Sequence, residues 1–255
     1  MKVIAIIPAR MGSTRFPGKP MEKIQNIPMI GHCYYRTRMC KDLLETYVAT
    51  CDQEIYDYIE SIGGKAIMTS SAHERATDRT AEAMLKIEEK LGDKIEVVIM
   101  VQGDEPMVTP DMISECVTPF MQFDDVNVSN LISKITNIND FDDPNEVKVV
   151  VDNELNAIYF SREPIPSRKK GFDNVPMLKQ LGIIGFRRDY LLKFNNMPET
   201  PLECIESVDM LRVIENGQKI RTVRTLGKSL GVDTLEDLKR AENEMGSDPL
   251  MATYR

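Results

Sequence analysis

The chain has 255 residues, 42% of them hydrophobic and 28% charged, with a formal net charge of −8. That length supports one large domain with a well-buried core, and the interspersed charges exclude a disordered or fibrous chain. The negative balance argues against a nucleic-acid binder, and no apolar run approaches the roughly 18–20 residues of a membrane span.

The five cysteines include no Cys-x-x-Cys pair, so neither a disulfide framework nor a structural zinc site is expected. Two histidines, His32 and His73, are too few for a His-rich metal centre. Lys2 to Ile7 predicts a buried strand. It is too short for a signal-peptide core and lacks a cleavage site, so a cytosolic protein is expected.

A helix is predicted over 28–40, a strand over 46–50, a helix over 53–61 ending at Gly63-Gly64, and a short strand over 66–68. A helix over 74–91 should bury Ala81, Met84, Leu85, Ile87 and Leu91 on one side and close at Gly92. A continuous apolar strand follows over 95–101, then a helix from Pro110 with Thr109 as its N-cap. Strands over 147–151 and 155–160 flank the acidic turn Asp152-Asn153-Glu154 and predict a hairpin. Pro164 to Gly171 predicts a mobile basic loop, and 181–186 a further strand. Thr200-Pro201-Leu202-Glu203 forms a capping box for a helix running to Gly217. A strand over 219–224, a helix from about Thr234 and a frayed tail over 247–255 complete the chain. Alternating strands and helices predict an α/β doubly wound sheet in a single domain spanning residues 1–246.

Three segments carry candidate chemistry. Pro8 to Lys19, after the first strand, combines Gly12 and Gly18 with Ser13, Thr14, Arg10, Arg15 and Lys19. Backbone amides and cations in such a loop grip phosphate oxygens at the carboxyl end of a strand. The spacing departs from a Walker A loop, because five residues separate the glycines and Pro20 follows the lysine. A solvated basic turn is the plain alternative. Gln102-Gly103-Asp104-Glu105-Pro106 places an acidic pair at the same sheet edge, where carboxylates hold Mg²⁺ or cap a turn. Asp233, before the last helix, reads either as a second metal carboxylate or as an N-cap. Arg75, Arg79, Arg162 and Arg168-Lys169-Lys170 are scattered cations suited to an acidic substrate or to plain surface.

Together these segments resemble the cytidylyltransferases that activate 3-deoxy-manno-octulosonate (Kdo), the CMP-Kdo synthetases. The resemblance runs along nearly the whole chain. It includes Ile7-Pro8-Ala9-Arg10, Pro17-Gly18-Lys19-Pro20, Gln102 to Pro106, Pro144 to Val150, Tyr159-Phe160-Ser161-Arg162, Leu181-Gly182-Ile183, Pro201-Leu202-Glu203 and Gly231-Val232-Asp233-Thr234.

It implies a mixed, mostly parallel sheet of the nucleotide-diphospho-sugar transferase kind. A smaller lobe over about 130–190 would carry a hairpin that helps form a homodimer. It implies transfer of CMP from CTP to the anomeric hydroxyl of a 2-keto-3-deoxy sugar acid, with Mg²⁺ and release of pyrophosphate. Pro8, Ala9, Arg10, Ser13, Lys19 and Gln102 fall to the nucleotide, with Lys19, Arg10 and Asp104 as the catalytic group. Asp104 and Asp233 fall to the metal, and Arg79, Gln102, Arg162, Gln180 and Glu206 to the sugar acid. The chain departs from the family's usual residues at Arg75, Ala76, Gln180, Ile184 and Cys204. These departures imply drift or a modified sugar acid, such as an amino analogue. A nucleotidyltransferase for another acidic sugar or sugar phosphate, and a nucleotide-binding regulator without turnover, are the rival classes.

Overall fold

Val3–Ala9 (β1) is buried at every position, as a central strand covered on both faces must be. The computed structural model describes residues 1–12, 16–171 and 174–254. A small antiparallel ribbon follows, Lys23–Ile24 (β2) with Ile27–Pro28 (β3). The later strands are Glu45–Thr50 (β4), Ala66–Met68 (β5), Val97–Val101 (β6), Val128–Lys134 (β7), Lys148–Val151 (β8), Ala157–Ser161 (β9), Leu178–Arg187 (β10) and Arg221–Arg224 (β11).

Among the described residues these build a nine-stranded sheet with the order β11-β7-β10-β6-β1-β4-β5, while β8 and β9 branch from β10. β1 runs parallel to β4 and β6, β4 parallel to β5, and β11 parallel to β7. β10 is antiparallel to both β6 and β7, so the sheet is mixed but mostly parallel. The chain steps outward from β1 to β4 and β5, then returns to place β6 on the other side of β1. The strand order therefore reverses between β1 and β6, and a doubly wound sheet opens its ligand crevice at that point.

The two-residue period of β1 sorts its side chains. Val3, Ile7 and Ala9 pack under the helices Met29–Thr37, Gln53–Ser61 and Pro110–Gln122, whereas Ile4 and Ile6 join Met84, Ile87, Leu191 and Leu211 on the other face. A third, smaller core unites Phe16, Ile24, Met29, Met107, Val232, Met245 and Met251.

Several expectations change. Leu85 and Leu91 are exposed, because the helix Ala76–Leu91 turns Thr80, Ala83, Met84 and Ile87 inward and leaves Leu85 off that stripe. The helix expected from 201 to 217 is two, Pro201–Glu206 and Met210–Glu215, parted where Ser207 turns left-handed at φ 52°. Strand β7 and the helix Arg188–Asn195 were not anticipated.

The tail is docked rather than frayed. Pro249–Thr253 forms a 3-10 turn, Met251 is buried, Asp248 pairs with Arg36, and the Tyr254 hydroxyl meets His32 Nδ1 at 2.9 Å. The acidic hairpin turn is stabilised locally: Asp152 Oδ1 accepts the amides of Glu154 at 2.9 Å and Asn156 at 2.7 Å.

Candidate active site

A cavity of about 550 Å³ opens over the β1/β6 reversal, within the range of small-molecule sites. Its floor is the close approach of two strand ends. A Cβ at Gly103 would lie 3.0 Å from the Pro8 carbonyl oxygen and 3.5 Å from the Ala9 side chain, so glycine lets the turns meet this tightly without a backbone shift. Pro8, Ala9, Arg10, Lys19, Gln102, Asp104 and Asp233 all line this end. Ser13 lies outside the described residues.

Lys19 is the centre of the arrangement. Its Nζ donates to Asp104 Oδ2 at 2.8 Å and to Asp233 Oδ1 at 3.2 Å. Burial works to lower the Lys19 pKa, but the charges and hydrogen bonds of Asp104 and Asp233 outweigh it and the net shift is upward. The Val232 amide donates to the Asp104 carbonyl at 3.0 Å, which brings the two carboxylate-bearing turns together.

Asp233 is not the N-cap of the last helix. Thr234 takes that role in a capping box with Asp237, whose carboxylate also accepts the Asp233 amide at 3.1 Å. Among the described residues no group of three or more His, Cys, Asp or Glu side chains is placed to hold a metal. Two carboxylates converging on one cationic point nevertheless fit Mg²⁺, which takes one or two carboxylates and completes its shell with phosphate oxygens and water.

Both members of the acidic pair line the cavity, but their carboxylates have different partners. Glu105 is buried, accepts the Gly182 amide at 2.9 Å and the Ser229 hydroxyl, and has a pKa raised by burial. It fixes β10 beside the turn of β6, as does the bond from the Gln102 amide to the Gly182 carbonyl at 2.8 Å.

Arg10 is exposed and reaches the His73 carbonyl at 3.4 Å. Arg79 reaches the same carbonyl at 3.3 Å from a buried position, and also bonds Thr69 Oγ1 at 2.5 Å and the Ser70 carbonyl at 3.3 Å. The segment 69–73 is tied in turn to Glu82, which accepts from the Ser70 amide, His73 and Lys86. Burial opposes ionisation of Glu82, but these donors hold its pKa down to about 2.

The far wall holds two of the residues that the resemblance gave to the sugar acid, Gln180 and Arg162. Gln180 lines it and donates to Asn130 Oδ1 at 2.8 Å. Arg162 lines it too, but its guanidinium holds backbone: Nε to the Glu206 carbonyl at 2.7 Å, Nη1 to Pro144 at 2.8 Å and Nη2 to Ser207 at 3.2 Å. Glu206 is not among the lining residues. Its carboxylate accepts from Tyr159 at 3.0 Å, Ser161 at 2.8 Å and the Arg162 amide at 2.8 Å, which locks β9 to the break between the two short helices.

Of the departing positions, Arg75, Ala76, Gln180 and Ile184 line the cavity, and Cys204 is exposed away from it. Arg75 is set among Glu199, Glu203 and Asp209, and Glu203 also binds the buried Arg212. The sequence reading passed over Lys179, Asp143, Glu146 and Asp209, which also line the wall. No local spacing marks them, since loops distant in sequence bring them in.

Residues 4–220 match the family model described as cytidylyltransferase. The chain is 40% identical to a 3-deoxy-manno-octulosonate cytidylyltransferase of Geobacter metallireducens, covering 96% of this chain and 98% of that protein. It is 45% identical to the protein of that name in Thermodesulfovibrio yellowstonii, covering 95% and 97%. Among solved structures, a CMP:2-keto-3-deoxy-manno-octonic acid synthetase complexed with CTP superposes with a TM-score of 0.88 at 36% identity, covering 96% of this chain and 99% of that one. A putative glucose-1-phosphate thymidylyltransferase from Bacillus anthracis, at 16% identity, shares the fold alone, with a TM-score of 0.66 and 96% of each chain covered.

Proposed function

We propose that this chain, which belongs to the cytidylyltransferase family, transfers CMP from CTP to the anomeric hydroxyl of a 2-keto-3-deoxy sugar acid and releases pyrophosphate. The observation that carries this reading is the convergence of Asp104 and Asp233 on Lys19 at the mouth of the β1/β6 crevice. Such a crevice is where a doubly wound sheet binds nucleotides. The triphosphate lies along the loop from Pro8 to Lys19, with Arg10 and Lys19 offsetting its charge and Gln102 at the junction with the sugar side.

Asp104 and Asp233 would hold Mg²⁺, which when bound neutralises phosphate charge and orients the triphosphate. The rest is positioning. The sugar hydroxyl attacks the α-phosphorus in line, loses its proton as the new P–O bond forms, and the bond to pyrophosphate breaks. Lys19 stabilises charge that builds on the phosphate oxygens. No covalent enzyme intermediate is required. The protein works in the cytosol as a homodimer, with the β8–β9 hairpin helping to form the interface. Among the described residues, no helix is long and apolar enough to cross a membrane.

The sugar acid is Kdo or a modified Kdo, because Arg75, Ala76, Gln180 and Ile184 change the wall against which it would lie. The test is CTP-dependent pyrophosphate release across 2-keto-3-deoxy sugar acids, amino analogues included, with and without Mg²⁺. Metal-dependent release with at least one such acid is expected. CTP binding without pyrophosphate release would overturn the reading in favour of a regulator.

A further inference from the structure

We infer that Lys179 is the cation that receives the carboxylate of the sugar acid, an assignment that rests on the function proposed above. Such an acid carries its carboxylate on the anomeric carbon itself, so the receiving cation must act close to the attacking hydroxyl. The wall is already acidic: Glu74, Asp143, Glu146 and Asp209 line it beside the metal-side carboxylates. An arriving anion needs a dedicated partner there.

Apart from Arg10 and Lys19 on the triphosphate side, the Arg and Lys residues lining the cavity, among the described residues, are Arg75, Arg79, Arg162 and Lys179. Three of them are committed. Arg162 uses Nε, Nη1 and Nη2 on the carbonyls of Glu206, Pro144 and Ser207. Arg79 is buried and holds the 69–73 segment through Thr69, Ser70 and His73. Arg75 faces Glu199, Glu203 and Asp209, so its surroundings repel a further anion.

Lys179 differs in kind. Its ammonium has three donors on a flexible stem, and it donates to Glu146 Oε1 at 2.8 Å. Its backbone belongs to β10, three residues before Gly182, whose amide rests on Glu105. An ammonium can hold two carboxylates together, and the substrate carboxylate joins or displaces Glu146 there.

Loss of the two partners therefore should not act alike on the acid. Lys179→Met should raise KM for the sugar acid about 10- to 100-fold, the range of one lost charge-assisted hydrogen bond, and leave KM for CTP within about twofold. Lys179→Arg should recover part of that loss. Glu146→Gln removes the competing anion and should lower the acid KM or leave it unchanged.

A pair that merely braced the wall would give parallel losses in both variants, and that result overturns the assignment. An unchanged acid KM in Lys179→Met overturns it as well. If Lys179→Met does not fold, Glu146→Gln decides alone, since a raised acid KM there contradicts the competition. Absence of CMP transfer by the unaltered protein to every 2-keto-3-deoxy acid would overturn the function and this assignment with it. Transfer by the unaltered protein with parallel losses in the variants would overturn the assignment only.

Discussion

The amide of Val232 donates to the carbonyl of Asp104 at 3.0 Å, although 128 residues separate them in the chain. That backbone bond aligns two turns so that the neighbouring side chains, Asp104 and Asp233, reach the same ammonium of Lys19. The site is therefore set by backbone register rather than by side-chain adjustment, and side-chain substitutions should act on chemistry more than on folding.

Asp104→Asn keeps the size and the backbone bond but removes the charge. Turnover should fall by roughly two to three orders of magnitude. Thermal unfolding should show a folded protein with a cooperative transition. Pyrophosphate release near the unaltered rate would remove Asp104 from the mechanism.

Gly182 has no room for a side chain. An added Cβ would lie 2.7 Å from Gln102 Cγ and 3.0 Å from Glu105 Oε1. Gly182→Ala should cost about 1–3 kcal/mol of stability in urea unfolding. It should also lower CTP turnover, because the displaced turn carries Asp104.

The acid side of the stability profile should report Glu82. Its carboxylate, normally near 4.5, is held down to about 2 by Lys86, Ser70 and His73. A depressed carboxylate stabilises the fold fully above its unfolded pKa, and that contribution is lost as pH falls through the folded value. The window is therefore between about pH 4.5 and about 2. Glu82→Gln should flatten the decline there when unfolding free energy is followed against pH. An unchanged slope would show that Glu82 does not carry it.

Tyr254→Phe deletes the hydroxyl that meets His32 Nδ1 at 2.9 Å and accepts from Arg36 Nε at 2.8 Å. The cost should be about 1–2 kcal/mol in urea unfolding, since a buried donor is left unmatched. Removing residues 248–255 should cost more, because Met251 leaves the core that also holds Phe16, Met107 and Val232. A truncated protein of unchanged stability would mean that the docked tail contributes nothing.

Much of this molecule can be read from local pattern. The run Val3 to Ile7 announces a buried strand, and the glycines and cations behind it mark the strand end over which the cavity opens. The pairing of Asp104 with Asp233 was legible only through the family resemblance, because local spacing alone leaves Asp233 open to the N-cap role that Thr234 turns out to supply. β7 escaped notice because Ser129, Asn130 and Ser133 look like loop residues. In place, Asn130 answers the Leu181 and Ile183 carbonyls at 3.0 and 3.1 Å, where the pairing of β10 with β7 shifts register. Arg162 lines the cavity, but its bonding could not be read from the sequence. It carries the charge expected of an anion ligand, but its acceptors are carbonyls 18 to 45 residues away.

The third core draws on both ends of the polypeptide, Phe16 and Met29 with Met245 and Met251. On a ribosome the amino-terminal strands emerge and pair first. The core that holds Phe16 and Val232, close in the chain to Lys19 and Asp233, is completed only when Met245 and Met251 join it. A chain that stops short of Met245 therefore leaves Phe16, Met29 and Val232 without the partners that close this core, and the turn that carries Asp233 loses its support.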